Sequence, residues 1–344
     1  MEKDETYMQR ALELAALGLG HVSPNPMVGC VIVHDNRIIG EGWHRRHGES
    51  HAEVLALNQV KNKALLPEST LYVTLEPCSH HGKTPPCADR IVQEGVGRVV
   101  ICNKDSNPLV KGEGIRKMEA AGIKVENHLL EQKGRRLNKR FFTFYEKQRP
   151  YILLKWAQTA DRFIARENFE SKWISHEFSR KIVHKWRTEE DAVMVGTNTA
   201  QYDNPRLNAR DWPGKNPVRI VVDKNLRLDR KLLLFDHSQP TLCYNLQENR
   251  KEKNLQFIKL NPENFSEALF HDLFEKKIMS VMIEGGSSLL QSLIAEGLWD
   301  EARVFESKAT FGTGISAPTL KDCKMIEKTR SGEDELIAYK HFED

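Results

Sequence analysis

The stretch TLEPCSHHGKTPPCADR, residues 74–90, joins the end of an apolar run to the start of a helical pattern. Between the two lies a polar loop that contains two histidines and several prolines. Cys78 and Cys87, two of the six cysteines in the chain, stand at the ends of this loop. Because a strand that leads through a loop into a helix is the unit from which α/β sheets are built, the stretch predicts that fold class.

The patterns around this stretch also alternate between helix and strand. The predicted elements are, in chain order, a helix at 4–19, a hairpin at 29–43 around the turn residues Asp35 and Asn36, a helix at 51–61, the strand before Cys78, a helix from Cys87, a strand at 97–103, a helix at 115–122 and a strand at 123–129. This order predicts a sheet flanked by helices.

The pattern restarts near Arg149 and Pro150, where YILLKWAQ begins a second apolar strand. A chain of 344 residues is long enough for two domains, and we predict that they comprise residues 1–147 and 148–344. The elements predicted in the second domain are strands at 151–158, 191–196, 217–223, 241–245 and 280–286, helices at 176–188, 263–277 and 287–297, and a terminal strand pair.

The composition is that of a soluble globular protein, with 40% hydrophobic and 29% charged residues. No apolar run approaches the length of a membrane span, and the N-terminus lacks a signal-peptide pattern, so we expect a cytoplasmic protein with no membrane partner. A net charge of +3 gives little support for nucleic acid as a partner. The sequence leaves the oligomeric state open, and a homo-oligomer is possible.

A catalytic zinc ion takes three protein ligands and leaves one position for water. His51, Cys78 and Cys87 supply such a set, and the helix that begins at Cys87 favours the thiolate form of that residue. Glu53, two positions after His51, suits a carboxylate that moves a proton between the zinc-bound water and a leaving amine. His-x-Glu followed by Pro-Cys and a second Cys is the signature of zinc nucleobase deaminases.

Other interpretations of these residues stay open. The spacing departs from that signature, because eight residues instead of two separate Cys78 from Cys87. The cysteine pair could form a structural zinc site or remain two inert thiols. His80 and His81 could act as ligands, although their loop position fits substrate contact better. The joint pattern favours catalytic zinc over these alternatives.

The segments PNPMVGCVIV (24–33), HAE (51–53) and EPCSHHGKTPPC (76–87) resemble the deaminase half of the RibD family of bifunctional riboflavin-biosynthesis enzymes. The resemblance implies a cytidine-deaminase-like domain that removes the 2-amino group of 2,5-diamino-6-ribosylamino-4-pyrimidinone 5′-phosphate. It implies zinc bound by His51, Cys78 and Cys87, with Glu53 as the proton shuttle. The substrate contacts it implies are Asn25, His44, His80 and Lys83. Each has a plain structural alternative: a turn residue, a strand cap or, for Lys83, a solvated charge.

The segments 170–175, 184–187, 195–210, 217–223 and 280–293 resemble the reductase half of the same family. The resemblance implies a dihydrofolate-reductase-like domain that uses NADPH to reduce the ribosyl group to a ribityl chain. It implies that the cofactor is bound by Gln158, Trp173, Thr199, Asp203, Gly286, Ser287 and Ser288. It implies that the substrate is bound by Ser171, Arg187, Leu207, Arg210 and Glu284. Lys155 and Asp203 are candidates for polar assistance of hydride transfer, and either could instead be an ordinary surface or buried polar residue.

Two features of the second domain bear on this resemblance. The run from Glu284 through two glycines into a helix exposes backbone N–H groups that suit a phosphate, although a glycine pair at a helix start is often only a tight turn. The turn after the first strand reads TADRF, where the family has glycine in place of Arg162. A turn that requires positive φ accepts arginine poorly, so this departure bears on the geometry near Gln158 and Asp161.

Two alternative functions remain at this point. The first is a nucleic-acid or nucleoside deaminase with an accessory domain, against which stand the modest charge and the absence of basic segments interleaved with exposed aromatic residues. The second is a zinc-stabilised binding protein without catalysis. Replacement of Glu53 separates the two classes, because a binding protein would not depend on that carboxylate.

Overall fold

The computed structural model describes residues 2–79, 85–108, 112–170 and 174–342. The chain divides into two compact units, Met1–Lys147 and Gln148–Asp344. Both units have the predicted α/β class, with helices packed on a sheet. None of the helices in the described ranges combines the length and the apolar character that a bilayer crossing requires.

The described elements of the first unit alternate as its sequence pattern predicts. They are α1 (Glu2–Ala16), β1 (Gly29–His34), β2 (Arg37–Trp43), α2 (Ala52–Gln59), a 3₁₀ helix (Lys63–Glu68), β3 (Thr70–Leu75), α3 (Cys87–Glu94), β4 (Arg98–Asn103), α4 (Glu113–Ala120), β5 (Lys124–Glu126), α5 (Glu131–Leu137) and α6 (Lys139–Lys147). The strands lie in the order β2-β1-β3-β4-β5. The β1–β2 and β1–β3 pairs are antiparallel, whereas β3, β4 and β5 run parallel.

The hairpin β1–β2 turns where the sequence indicates. Asp35 and Asn36 both have positive φ, 47° and 60°, which is the conformation of the type I′ turn that suits a two-residue hairpin. Alternate residues of β1 then point to opposite faces of the sheet. Cys30 and Ile32 pack with α2, α3 and α4 on one face, and Val31 and Val33 pack with α1 on the other.

A glycine in β2 sets the position of α2. A Cβ atom on Gly42 would lie 2.7 Å from Leu55 Cβ and 2.8 Å from the Ala52 carbonyl oxygen, which is closer than side chains approach. Only glycine therefore permits the first turn of α2 to lie directly on the strand. This contact places the beginning of α2, and with it His51 and Glu53, against the sheet.

The second unit contains a long mixed sheet with helices on both faces. Its described elements are β6 (Tyr151–Gln158), β7 (Phe163–Ala165), α7 (Glu177–Glu189), β8 (Ala192–Gly196), α8 (Thr197–Asp203), β9 (Val218–Val222), a 3₁₀ helix (Leu233–Phe235), β10 (Thr241–Asn245), β11 (Arg250–Lys251), β12 (Leu255–Lys259), α9 (Phe265–Glu275), β13 (Ser280–Ile283), α10 (Ser287–Ala295), β14 (Glu301–Glu306), β15 (Ile315–Ser316), β16 (Cys323–Ser331) and β17 (Asp334–His341). The main sheet has the order β11-β12-β10-β9-β8-β13-β6-β14-β17-β16.

The central strands of this sheet, from β12 to β14, are parallel. Helices α9 and α10 cover one face, where Leu269 and Leu290 are buried, and α7 covers the other with Val183 and Trp186. Since the central strands are parallel, their carboxyl ends meet at a single edge of the sheet. This is the edge at which open α/β sheets bind ligands.

Candidate active sites

The three predicted zinc ligands come together in the first unit. His51 is the N-cap of α2, Cys78 follows β3, and Cys87 is the first residue of α3. His51 Nδ1 lies 3.2 Å from Cys87 Sγ and 3.6 Å from Cys78 Sγ. All three ligand atoms lie within 4.8 Å of one another, and in the described part of the chain this is the one such group of His, Cys, Asp or Glu side chains.

These distances fit a tetrahedral zinc ion. Zn–N and Zn–S bonds of roughly 2.0 and 2.3 Å at tetrahedral angles place nitrogen and sulfur about 3.5 Å apart. The pKa of the Cys78 thiol lies well below its usual range, because the Cys87 side chain and the His51 ring hydrogen-bond to its sulfur. The hydrogen bond to Cys78 in turn raises the pKa of His51 to about 9. The hydrogen bond between Cys87 and Cys78, together with burial, raises the pKa of Cys87, so the negative charge of the pair lies on Cys78 and the thiolate predicted for Cys87 from the helix start is not favoured.

Glu53 lies in the first turn of α2, beside this cluster, and its side chain is only 3% exposed. Its Oε2 atom is buried and has no hydrogen-bond partner among the described residues. Burial raises the pKa of this carboxyl group above its ordinary value. A buried carboxylate oxygen without a partner fits a group that contacts a water molecule in the fourth ligand position of a zinc ion.

Asn25 and His44, two predicted substrate contacts, bind each other next to the cluster. Asn25 Nδ2 lies 3.1 Å from His44 Nε2, and His44 Nδ1 lies 3.2 Å from the Ser50 carbonyl oxygen. Since the carbonyl only accepts, Nδ1 carries the hydrogen and Nε2 accepts from the Asn25 amide. Burial lowers the pKa of His44, which agrees with a neutral ring. The rings of His44 and His51 meet edge to face with centroids 5.4 Å apart.

Four predicted contact residues lie outside the described residues. They are His80 and Lys83 of the first unit and Ser171 and Trp173 of the second. Their roles stay predictions.

The predicted cofactor and substrate residues of the second unit gather at the carboxyl edge of the parallel strands. Gln158 ends β6, Gly196 ends β8 and Glu284 follows β13. Strand β13 lies between β6 and β8, and Ile283 pairs with Leu154 and Met194. Gln158 therefore lies further along β6 than Glu284 does along β13, and it pairs with Glu306 of β14. Helices α8 and α10 begin at the same edge, directly after β8 and shortly after β13.

Arg187, Glu284 and Lys155 form a buried charged group at this edge. Arg187 Nε and Nη2 donate to the two carboxylate oxygens of Glu284 at 2.6 and 2.8 Å, and Lys155 Nζ lies 3.8 Å from Glu284 Oε2. Burial alone would raise the pKa of Glu284, but the charge of Arg187 lowers it to about 2. Burial lowers the pKa of Lys155. Arg187 also donates from Nη1 to the Asn208 carbonyl oxygen at 2.9 Å.

The glycine pair after Glu284 forms the predicted turn into a helix. Gly286 is the N-cap of α10, and Ser287 and Ser288 are its first two residues. A Cβ atom on Gly286 would lie 3.0 Å from Thr199 Oγ1, so the turn lies close to α8. The structure thus brings Thr199, Gly286, Ser287 and Ser288 to one region, as expected of residues that bind one cofactor.

The remaining predicted residues differ in their surroundings. Gln158 is buried and bridges Trp156 Nε1 and Glu306 Oε2, both at 2.9 Å. Leu207 is 1% exposed and belongs to the core beneath α7. Asp203, the last residue of α8, is exposed. Arg210 is half-exposed, with Nε 3.7 Å from Asp211 Oδ2.

The turn that contains Arg162 has the positive φ that arginine accepts poorly. Arg162 has φ of 65°, and its N–H donates to the Thr159 carbonyl oxygen at 2.9 Å. Asp161 accepts from the N–H groups of Phe311 and Gly312 at 2.9 and 2.7 Å and from Thr159 Oγ1 at 2.6 Å. These hydrogen bonds fix the turn in which Arg162 has a left-handed backbone conformation. That conformation raises the conformational energy of any residue other than glycine.

Arg162→Gly is expected to stabilise the second unit by about 0.5–1 kcal/mol. The left-handed conformation costs a non-glycine residue roughly 1–2 kcal/mol, which glycine avoids. Glycine also loses more backbone entropy on folding, which offsets part of this stabilisation. The measurement is the midpoint of denaturant unfolding of the second unit. Arg162→Ala is the matched control, since it removes the same long side chain and keeps Cβ. Equal midpoints for the glycine and alanine variants would show that backbone strain is absent here.

One buried carboxylate was not singled out from the sequence. Glu76 lies two residues before Cys78, is 3% exposed, and accepts backbone hydrogen bonds from four residues between 105 and 115. The sequence does contain a signal for this residue. A glutamate at the end of an apolar strand indicates a buried charge, which is costly unless it has hydrogen-bond partners.

Comparisons with known proteins agree with both sites. The family model for the cytidine and deoxycytidylate deaminase zinc-binding region matches residues 1–103, and the model for the RibD C-terminal domain matches residues 150–332. The riboflavin biosynthesis protein RibD of Aquifex aeolicus is 42% identical, with 99% of both chains aligned. That of Escherichia coli is 37% identical, over 90% of this chain and 89% of its relative.

Two solved structures share the whole architecture. One is a diaminohydroxyphosphoribosylaminopyrimidine deaminase/5-amino-6-(5-phosphoribosylamino)uracil reductase from Thermotoga maritima, with a TM-score of 0.91, 36% identity and 99% of both chains covered. The other is RibD of Acinetobacter baumannii, with a TM-score of 0.90, 33% identity and 99% of both chains covered.

Fold and site together define a class of two-domain enzyme that joins a zinc-dependent, cytidine-deaminase-like domain to an NADPH-dependent reductase domain. The predicted fold class is confirmed. The chain belongs to the RibD family of bifunctional riboflavin-biosynthesis enzymes.

Proposed function

We propose that this chain converts 2,5-diamino-6-ribosylamino-4-pyrimidinone 5′-phosphate in two steps. The first unit, residues 1–147, removes the 2-amino group by hydrolysis, and the second, residues 148–344, reduces the ribosyl group with NADPH. The observation that carries the proposal is the cluster of His51, Cys78 and Cys87 beside the unpartnered, buried oxygen of Glu53. The names of the relatives support the same pair of activities.

In the deamination, Glu53 moves the protons. Zinc, when bound by His51, Cys78 and Cys87, supplies a water molecule with a pKa lowered to about 7. Glu53 would accept a proton from the water that attacks the ring carbon and return it to the amino group, which would leave as ammonia when its bond to that carbon breaks. The Asn25–His44 pair, next to His51, presents neutral polar groups that orient the pyrimidine ring.

In the reduction, the chain binds and orients both reactants. NADPH would supply the hydride for ribose C1′; the bond from C1′ to the ring oxygen must break before or as the hydride arrives, and the ring oxygen takes up a proton as the sugar opens. Lys155 and Asp203 are the candidates for this polar assistance. The buried Arg187–Glu284 pair fixes one wall of the site, because separating a buried ion pair is costly. Gln158, Thr199, Asp203 and the turn from Gly286 to Ser288, with Trp173, are the proposed cofactor contacts.

We further propose that the partner is the small phosphorylated pyrimidine and not a nucleic acid, with Ser171, Arg187, Leu207, Arg210 and Glu284 as the reductase contacts. His80 and Lys83 complete the proposed deaminase contacts with Asn25 and His44. A cytoplasmic location suits the reduced thiols that the zinc cluster requires. The mass of the native protein in solution tests whether the chain forms a homo-oligomer.

Mass spectrometry of a defined reaction tests the proposal. Pure zinc-loaded protein is incubated with the diaminopyrimidine phosphate, with and without NADPH. The expected result is exchange of one amino group for oxygen without NADPH, followed by gain of two hydrogens only when NADPH is added. Deamination of a single-stranded oligonucleotide, with the pyrimidine phosphate left unchanged, would favour a nucleic-acid deaminase instead.

A further inference from the structure

Glu76 has an unusually complete set of backbone partners. Its Oε2 accepts hydrogen bonds from the N–H groups of Asp105 and Gly112 at 3.3 and 3.0 Å. Its Oε1 accepts from those of Gly114 and Ile115 at 3.1 and 3.3 Å. Two of these donors belong to the first turn of α4, where the helix dipole also favours a negative charge. The buried carboxylate is therefore satisfied by the main chain of a segment distant in sequence.

The backbone on either side of this carboxylate is held as well. Glu76 N donates to the Asn103 carbonyl oxygen at 2.9 Å, at the end of β4. A Cβ atom on Gly114 would lie 2.1 Å from the Pro77 carbonyl oxygen, so α4 lies directly against this peptide. The segment of Glu76 and Pro77 thus has little freedom to shift relative to β4 and α4.

The next residue along the chain is the zinc ligand Cys78. Its carbonyl oxygen accepts from Ala88 N at 3.1 Å, and its Sγ accepts from Cys87 N at 3.3 Å. Cys78 therefore lies between two anchors, the start of α3 on one side and the Glu76 segment on the other. The hydrogen bonds from α3 to Cys78 begin on a helix that carries Cys87, itself a predicted zinc ligand. The hydrogen bonds around Glu76 involve none of the predicted zinc ligands.

We propose that Glu76 is a positioning residue for the zinc site, which holds Cys78 at the distance from His51 and Cys87 that zinc binding requires. This inference rests on the proposed function in that it takes zinc as the bound ion. Groups that orient metal ligands typically change metal affinity by 10- to 100-fold when they are replaced. Glu76 acts through the backbone of Cys78 and does not touch substrate.

The test is the zinc affinity of Glu76→Gln, measured by competition with a chromogenic chelator on the full chain. Glutamine keeps the shape but replaces one acceptor oxygen with a donor, so it faces two of the four N–H groups with the wrong polarity. The expected result is zinc affinity about 10- to 100-fold weaker than that of the unchanged chain. Glu76→Asp, which keeps the charge but is shorter, is expected to lie between the two.

Met118→Ala is the matched control for a merely structural effect. Met118 is a fully buried core residue of the same helix, α4, and its truncation should lower the melting temperature while it leaves the four backbone N–H donors to Glu76 in place. Its zinc affinity should stay within about threefold of the unchanged chain, well short of the change expected for an orienting group.

Two results would overturn the proposal: unchanged zinc affinity in Glu76→Gln, or an equal loss in Met118→Ala at comparable melting temperature. Neither depends on catalysis. If the unchanged chain binds zinc but fails to deaminate the pyrimidine phosphate, the proposed function fails while the comparison of zinc affinities still decides the role of Glu76.

Discussion

Glu53→Gln is expected to lower the rate of ammonia release by about 10²- to 10⁴-fold, the usual contribution of a general acid–base group. Glutamine has nearly the same shape, so zinc binding and folding should persist, but its amide cannot take up the proton that the attacking water loses. Glu53 Oε2 has no partner among the described residues, and the neutral amide therefore removes no hydrogen bond at that atom. The measurement is ammonia release with saturating zinc, together with zinc content and melting temperature.

Glu68→Gln provides the control for this substitution. Glu68 is exposed at the end of the 3₁₀ helix in the same unit, and its replacement should leave ammonia release unchanged. Turnover retained in Glu53→Gln would remove the proposed mechanism. Loss of zinc from the variant would instead assign Glu53 a role in metal binding.

Cys87→Ser should abolish zinc binding and, with it, deamination. A serine hydroxyl does not ionise as a thiol does, so the site keeps only His51 and Cys78 as ligands. Hydride transfer to deaminated substrate supplied from outside should remain near its original rate, because Cys87 belongs to the first compact unit and the reductase residues to the second. Elemental analysis gives the zinc content, and separate assays of the two steps give the activities.

Cys102→Ser is the matched control in the same unit. Cys102 is also buried, and its Sγ lies 3.2 Å from Asn103 Oδ1 and 3.4 Å from the Leu130 carbonyl oxygen, either of which can accept the single hydrogen of a thiol or of a hydroxyl. This variant should keep zinc and both activities. If Cys87→Ser loses both activities, the two units depend on each other for folding. If it keeps zinc with normal affinity, the cluster is not the metal site.

Much of the fold could be predicted because the pattern within each element is local. The hairpin at β1–β2 and the helices α3 and α10 follow from turn residues, apolar spacing and glycines near their ends. Among the described elements that the prediction omitted are α8, β12 and β14. Helix α8 has the polar sequence TNTAQYD and forms where the chain leaves β8. Strands β12 and β14 are as long as strands that were predicted, and each pairs in parallel with a neighbouring strand, β10 or β6, that is distant in sequence.

The candidate sites likewise have one part that could be predicted from local sequence and another that depends on how distant elements pack. His51, Glu53, Cys78 and Cys87 could be proposed as a zinc site from the sequence alone. Imidazole, thiols and a carboxylate at helix starts have few other common uses together. The hydrogen-bond partners of Glu284 could not be predicted from the sequence. Arg187 stands 97 positions away and contacts Glu284 only because α7 packs beside β13. The environment of Glu76 depends in the same way on where β3 ends relative to α4.

The sequence by itself determined the α/β class of both units, the types of side chain available to hold zinc, and the resemblance to the RibD family, because composition, spacing and periodicity are properties of neighbouring residues. Only the tertiary structure decided which charges meet, that one oxygen of Glu53 is buried without a partner in the described chain, and that Glu76 collects N–H groups 29–39 positions further along. The physical reason is that buried polar groups must find their hydrogen bonds in space, and those partners exist only after the sheet and helices have packed.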